Sequence, residues 1–178
     1  MRFSDLLQMP FNPESDTVDL RAILSALPDT PEEVARQVYS DHGRKEDFQS
    51  AYGRLEISAI EWKQVERPAA EICSASALPS FRQWFVNVGH RVERFEAEGW
   101  ACIDVRRPVV SHWAEHATWV VPPVLILGDL MGSTGLHLIE GHTRVGILAG
   151  LVRRRILSKN SGHVVWLGAM PSANQSAL

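Results

Sequence analysis

The stretch LHLIEGHTRVGILAGLVRRR, residues 136–155, changes its hydrophobic period partway along and thereby decides the fold. Residues 136–139 are mostly apolar, which predicts a short buried strand. From residue 143 onward the apolar side chains recur at three- and four-residue spacing, which predicts a helix over 143–155. Glu140 and Gly141 lie at the junction. The sequence therefore predicts a strand that turns directly into a helix.

This corner has the chemistry of an anion site. Gly141 has no side chain, so a ligand can approach its backbone closely. The first amides of the new helix are free, and the helix dipole favours an anion beside them. Arg144 can hold two phosphate oxygens, and His142 and Thr143 add further donors. We expect Gly141, His142, Thr143 and Arg144 to bind phosphate, with Glu140 and His142 as the candidate catalytic residues.

An ordinary turn accounts for the same residues. In that interpretation Gly141 provides a left-handed bend, Thr143 caps the helix, and Arg144 pairs with a nearby acid such as Glu140. A single glycine at a strand-helix junction does not distinguish a binding site from a turn. Both interpretations stay open on the corner alone.

The rest of the chain predicts an α+β fold in one domain. Apolar spacing and capping residues indicate helices over 18–27, 30–39, 48–52, 79–98 and 108–116. Extended segments are expected over 57–62, 102–105, 120–127 and 164–167. We therefore expect a mainly helical part, residues 1–118, packed on a small mixed sheet. Residues 119–168 would form the core with the corner, and residues 169–178 a flexible tail.

Composition and charge narrow the class of protein. The 178 residues are 45% hydrophobic and 22% charged, with a net charge of -3, which fits a folded chain that does not coat nucleic acid. Residues 131–178 nevertheless hold five Lys and Arg against one Asp or Glu, so this end suits an anionic ligand. No apolar run reaches the length of a membrane span, about 18 residues. Asp5 and Gln8 do not fit a signal peptide, so we expect a cytoplasmic protein without membrane contact.

The segment HWAEH, residues 112–116, suggests a different chemistry. It matches the pattern H-x-x-E-H, which on a helix brings two imidazoles together beside Glu115. A zinc hydrolase would need a third ligand, and the only acids further along are Asp129 and Glu140. The alternative is an amphipathic helix whose histidines make local hydrogen bonds, and we expect no metal ligands here.

The segment DHGRKEDF, residues 41–48, and His163 also admit two interpretations. The basic residues of the segment would supply a second wall to an anion pocket, or form a solvated loop between helices. His163 precedes the last predicted strand, and only the family resemblance described next would place it facing the corner's ligand.

Three segments together resemble the ParB/sulfiredoxin superfamily, the ParB N-terminal-like nucleotide-binding domain, over about residues 119–168. They are PPVLI at 122–126, HLIEGHTRVGILAGL at 137–151 and HVVWLG at 163–168, in that family's order. Its corner reads GERR in partition CTPases, GCHR in sulfiredoxins and DGHHR in free-serine kinases. EGHTR at 140–144 looks closest to the kinase form, with Glu140 for the acid and His142 for the first histidine. Thr143 departs from all three forms.

The resemblance implies that the corner binds a nucleotide such as ATP, ADP or CTP, or another phosphorylated small molecule, with Mg²⁺ as a cofactor. An enzyme of this kind would transfer a phosphoryl group or hydrolyse a nucleotide. The attacking cysteine of sulfiredoxins falls at His142, so that activity is not expected. DNA segregation is not expected either, because little sequence follows Gly168. The alternative is a non-catalytic regulatory or protein-interaction module on the same fold, with its helical first half as the contact surface.

Overall fold

The computed structural model describes residues 1–171, so most of the predicted tail, residues 172–178, lies outside the described residues. The helices are α1 (Leu20–Ala26), α2 (Glu32–Val34) with a π-helical continuation over Ala35–Ser40, α3 (Glu46–Tyr52), α4 (Ala69–Cys73), α5 (Arg82–Arg91), α6 (Phe95–Glu98), α7 (Arg107–His116) and α8 (His142–Arg153). The strands are β1 (Phe11–Asn12), β2 (Thr17–Val18), β3 (Glu61–Pro68), β4 (Val124–Leu127), β5 (Leu136–Glu140) and β6 (Gly162–Ala169). The expected α+β class is confirmed.

The main sheet has four strands in the order β3-β6-β4-β5. β6 pairs antiparallel with β3 and parallel with β4, while β4 and β5 are antiparallel. The sheet is therefore mixed, as predicted. β3 pairs with β6 along its whole length, from Glu61 opposite Ala169 to Pro68 opposite Gly162. Residues 1–118 thus contribute a strand to the sheet as well as helices that cover it.

Side-chain alternation along the strands divides the interior into two cores. Val124 and Ile126 of β4 pack with the aromatic side chains of residues 1–60, among them Tyr39 and Tyr52. Leu125, between them, packs instead with side chains from α4, α5, α7 and α8. The sheet is consequently a middle layer with helices on both faces, which explains why β4 is buried throughout.

The predicted strand over 102–105 is wrong. The chain there forms a 3-10 turn over Gly99–Cys102, and Cys102 and Ile103 are buried in the second core. Burial at these two successive residues does not fit the alternation of a half-buried strand. Asp104 then turns the chain by accepting hydrogen bonds from the backbone and side chain of Arg106. Tertiary packing has overridden the local preference for an extended backbone.

The predicted helix over 79–98 exists as a helical run of several pieces. 3-10 turns over Pro79–Phe81 and Val92–Arg94 flank α5, and α6 follows. Gly99 ends the run with a φ of 55°, a conformation that glycine adopts without strain. Among residues 1–171, no helix combines the length and apolarity that crossing a membrane would require.

Helix α8 lies against α5 and the 3-10 turn that follows it, Val92–Arg94, through glycines. A Cβ at Gly150 would come within 2.8 Å of Val92 Cγ2, and one at Gly146 within 3.1 Å of Val88 Cγ1. The absence of side chains at these positions lets the two helices approach closely. This contact, together with β5, fixes the direction in which the start of α8 points.

Candidate functional site

The turn between β5 and α8 depends on Gly141. Its φ is 101°, and a Cβ there would lie 2.5 Å from the Cβ of Pro123. A side chain would therefore meet both backbone strain and a rigid ring. Because Gly141 has none, the segment before β4 packs directly against the corner. The predicted strand-corner-helix geometry is present.

The start of α8 leaves its first amides without an acceptor among residues 1–171. Val145 donates the first backbone hydrogen bond of the helix, to the Gly141 carbonyl at 2.9 Å, and no side chain caps the helix. Within residues 1–171, the hydrogen bonds include none from the amides of His142, Thr143 or Arg144. Free amides at the positive end of a helix dipole form a binding site for anions. Gly141 occupies the N-cap position, and Thr143 makes no capping hydrogen bond among the described residues. The interpretation of Thr143 as a helix cap is therefore wrong.

The corner opens into a cavity of about 480 Å³. The corner itself supplies one wall through Gly141, Thr143 and Arg144. The other walls come from aromatic, aliphatic and charged residues: Phe81, Trp84, Ile103, Asp104, Arg106, Val109, Trp113, Trp119, Val120, Val121 and Ile147. The free amides therefore lie beside an open space that is wide enough for a small ligand.

The Arg144 guanidinium is engaged with the protein rather than free for a ligand. Its Nη1 donates to the carbonyl oxygens of Val121, at 2.8 Å, and Pro122, at 3.3 Å. Its Nη2 donates to Gln37 Oε1 at 2.7 Å and to Glu140 Oε1 at 3.2 Å. Burial lowers the pKa of Arg144, and the Glu140 charge opposes that shift. Arg144 is thus a structural group here, and a phosphate contact would require it to exchange partners.

Glu140 lies at the centre of a charged cluster. Its Oε1 accepts from Arg144, while its Oε2 lies 3.5 Å from His42 Nε2 and 3.6 Å from His142 Nδ1. Burial alone would raise the pKa of Glu140, but His142, His42, the Arg144 charge and the Gly141 amide together hold it below the usual range. A carboxylate held in the ionised form by these groups is a weak proton acceptor. This arrangement favours the pairing interpretation of Glu140 over a role as base.

His142 is almost fully enclosed. Its ring stacks on Phe81 at a centroid distance of 3.7 Å and meets the edge of Phe85 at 5.6 Å. Both ring nitrogens are buried without a hydrogen-bond partner among the described residues, since Glu140 lies beyond hydrogen-bond distance. An unpartnered buried nitrogen costs about 1–3 kcal/mol. His142 therefore contributes its backbone amide to the corner, and its ring must move before it can contact a ligand.

Thr143 and Trp84 form the outer edge of the corner. The indole Nε1 of Trp84 donates to Thr143 Oγ1 at 3.1 Å, and about half of the Trp84 surface is exposed. The contact holds the indole ring of Trp84 beside the helix start. Opposite, Asp104 accepts two hydrogen bonds from the Arg106 guanidinium, which lower the pKa of Asp104. Arg106 is exposed and lines the cavity, so it is the cation most available to an anion there.

Several site residues were not identified from the sequence. Gln37 reaches the corner from the π-helical turn after α2, and Phe81 and Trp84 come from the start of the α5 region. His42 does reach Glu140, so DHGRKEDF contributes one side of the charged cluster. Its other cations do not contribute to the cluster, because Arg44 and Lys45 both pair with Asp16. The contacts of these residues with the corner join positions from 59 to 107 residues apart, so no local sequence pattern indicates them.

The zinc-site interpretation of HWAEH is not supported by the described residues. His112 and His116 lie on α7 with ring centroids 4.5 Å apart, but among residues 1–171 no group of three His, Cys, Asp or Glu side chains could hold a metal. His163 is directed elsewhere: Thr118 Oγ1 lies 3.0 Å from its Nδ1 and Ser161 Oγ 2.9 Å from its Nε2. None of these three histidines lines the corner cavity, although Trp113 of α7 does.

The comparisons with known proteins do not identify a relative. No family model, no curated protein and no solved structure matches the chain.

Proposed function

We propose that the corner at Gly141 binds a nucleotide or another phosphorylated small molecule. The observation that supports this most directly is the set of free amides at the start of α8, which belong to residues that line a cavity of about 480 Å³. Phosphate oxygens would accept from these amides, and the helix dipole would favour their charge. The resemblance to the ParB/sulfiredoxin corner leads to the same ligand class.

The aromatic walls suit a planar group attached to the phosphate. Trp84 and Phe81 flank the corner, and the largely buried Trp113 and Trp119 also line the cavity. A nucleobase stacks on such side chains with a gain of about 1–3 kcal/mol per base. Arg106 lies at the exposed edge, where it can approach a second phosphate oxygen. The cavity therefore offers separate places for an anionic end and a flat apolar end.

The geometry supports binding better than catalysis. Glu140 is paired with Arg144 and the two histidines, and the His142 nitrogens are buried. A divalent cation such as Mg²⁺ would have to come with the ligand's phosphates or displace Arg144 from Glu140. Phosphoryl transfer or nucleotide hydrolysis would therefore require a rearrangement around Glu140 and His142. In our proposal the bound nucleotide acts as a signal or structural ligand.

Calorimetric titration with ATP, ADP, CTP and pyrophosphate, each with and without Mg²⁺, tests the proposal. The informative variant is Thr143→Glu, because a carboxylate in the first turn stabilises a helix by about 0.3–1 kcal/mol while it repels a phosphate. Thr134→Glu places the same charge in an exposed loop and serves as the control. We expect binding by the parent chain and the control, and none by Thr143→Glu. Absence of heat with every ligand, or equal binding by all three proteins, contradicts the proposal.

The second candidate, a protein-interaction module, is supported by the apolar rim of the cavity. Trp84, Val120 and Val121 are partly exposed at its mouth. A partner that inserts an apolar side chain would cover them without using the α8 amides. Binding of a partner protein that is lost in Trp84→Ala but kept in Thr143→Glu would favour this candidate over a phosphate ligand.

A further inference from the structure

A second cluster of reactive side chains lies away from the corner and is independent of the proposed ligand. Ser76 Oγ is 2.9 Å from His137 Nδ1, and the other ring nitrogen, Nε2, is 2.8 Å from the Tyr52 hydroxyl. His137 and Tyr52 are buried, while Ser76 is exposed. A hydroxyl, an imidazole and a third group in hydrogen-bonded series are the parts of an activated nucleophile.

The backbone holds this series in place. Ser76 forms a bridge beside β5, in which its amide donates to the Leu136 carbonyl at 2.9 Å and its carbonyl accepts from the Leu138 amide at 2.7 Å. These two hydrogen bonds flank His137, so the serine and the imidazole face each other across a rigid sheet edge. Tyr52, which belongs to α3, contacts the opposite side of the imidazole ring. Catalytic groups need such rigid support to keep their geometry.

Ser76 also lines a second cavity of about 480 Å³, whose lining residues are all different from those of the corner cavity. Its walls include the apolar side chains of Leu78 and Phe85 and the cations Arg82 and Arg153. Among residues 1–171, the hydrogen bonds include none from the amide of Ala77, the residue directly after Ser76. Ala77 also lines this cavity, so its amide is a candidate donor to an oxyanion formed at Ser76. The cavity thus combines a nucleophile with groups that attract negative charge.

We propose that Ser76, His137 and Tyr52 form a hydrolytic site for carboxylic esters that carry an anionic group. Ser76 Oγ adds to the ester carbonyl carbon while its proton passes to His137 Nδ1. The bond from that carbon to the leaving oxygen then breaks, and His137 returns the proton to the departing alcohol. Water repeats the two steps on the acyl-serine, which releases the acid and restores Ser76. Tyr52 is a positioning residue that accepts from the Nε2 proton of His137.

Burial lowers the pKa of His137, with a further contribution from His142, so the ring is neutral at physiological pH and can accept the serine proton. The Tyr52 phenol stays protonated, because burial and the Asp47 charge raise its pKa. The competing arrangement is one in which Ser76 Oγ donates to the Leu136 carbonyl, 3.3 Å away, and only accepts from His137. In that arrangement the serine is inert, so reactivity decides between the two.

Labelling of the full chain with a fluorophosphonate, followed by mass mapping of the adduct, tests the site. We expect the adduct on Ser76, with loss of labelling in Ser76→Ala and no change in Ser74→Ala, an exposed serine two residues away. Hydrolysis of para-nitrophenyl hemisuccinate should exceed that of para-nitrophenyl acetate, and Arg82→Gln should remove the preference. A folded parent chain with no Ser76 adduct, or one labelled equally on Ser74, overturns the proposal.

Tyr52→Phe separates positioning from structure. It keeps the packed ring and removes only the hydroxyl that contacts His137. We expect Ser76 labelling to slow by about a hundredfold, the lower end of the range for general acid–base catalysis, and the inflection of its pH profile to move. A variant that folds and keeps both the parent rate and the parent inflection shows that Tyr52 does not position the base, which overturns the three-residue site.

Discussion

The Arg144 guanidinium donates to the side chain of Gln37 at 2.7 Å, across 107 positions of the sequence. The same guanidinium holds the carbonyls of Val121 and Pro122 and the carboxylate of Glu140. One side chain therefore joins the turn after α2, the segment before β4 and the end of β5. The residue that the sequence suggested as a ligand contact is also the one that keeps the corner assembled.

Replacement of Arg144 by alanine is expected to destabilise the chain by about 3 kcal/mol, because the largely buried Glu140 carboxylate loses its cation. Arg36→Ala is the control, since the Arg36 pair with Glu32 is exposed and contributes about 0.5 kcal/mol or less. Denaturant unfolding of the three proteins measures both changes. Equal midpoints for Arg144→Ala and Arg36→Ala would show that the four hydrogen bonds do not hold the corner together.

Gly141→Ala tests the close approach at the corner. The φ of 101° and the conflict with Pro123, whose Cβ would lie 2.5 Å from the new methyl group, predict a loss of about 3 kcal/mol. Gly132→Ala is the matched control: its φ is also positive, at 67°, but a methyl there meets none of the described residues within 4 Å. We expect about 1 kcal/mol for the control, from backbone strain alone. If thermal or denaturant unfolding gives the two variants the same loss of stability, the Pro123 contact does not contribute to the cost of Gly141→Ala.

The strand-corner-helix unit could be predicted because its signals are local. The apolar period changes at residue 140, and Gly141 supplies the positive φ that the turn needs. The mixed sheet could also be expected from the alternating apolar segments of the last third. The split of the interior into two cores, by contrast, depends on which face each strand residue takes, and that is decided by all the helices together.

The partners of the site residues could not be predicted. Sequence spacing indicates that Arg144 lies in the first helical turn, but not that Gln37 and the carbonyl of Val121 reach it first. The stacking of Phe81 on His142 likewise joins two segments that only the tertiary fold brings together. Residue types alone therefore predict a phosphate site. That Arg144 is hydrogen-bonded to the protein and His142 is stacked on Phe81 follows only from the tertiary structure.

Acid is expected to weaken the corner through Glu140. The pKa of Glu140 in the folded chain lies below its ordinary value of 4.5, so its ionised form stabilises the fold. That contribution is complete above about pH 4.5 and is lost as the pH falls toward the folded-state pKa. Glu140→Gln should cost about 2 kcal/mol at pH 7, because it removes the charge that faces Arg144, His42 and His142.

Unfolding of the parent chain and Glu140→Gln over a pH series checks this expectation. The difference in free energy of unfolding should shrink as the pH is lowered to about 3, because the unfolded parent chain then binds a proton at Glu140 that the folded chain does not. Asp41 is the neighbour that could complicate the result, since burial and the Glu140 charge raise its pKa. Asp41→Asn in both backgrounds removes that contribution. A difference that stays constant from neutral to acid pH rules out the linkage.

The contact between α5 and α8 provides the last prediction, because it sets the direction of the helix that carries the corner. Gly150→Ala should gain about 1 kcal/mol in helix propensity, yet its methyl group would lie 2.8 Å from Val92 Cγ2 and 3.0 Å from the Gly89 carbonyl oxygen. We expect the close contacts to dominate, with a net loss of about 1–2 kcal/mol. Val92→Ala removes the side-chain half of the conflict, so the double variant should be more stable than the sum of the two single losses predicts. Denaturant unfolding of the parent, the two single variants and the double variant measures the coupling energy. Strict additivity of the two losses in stability would mean that α5 and α8 can move apart without cost to the corner.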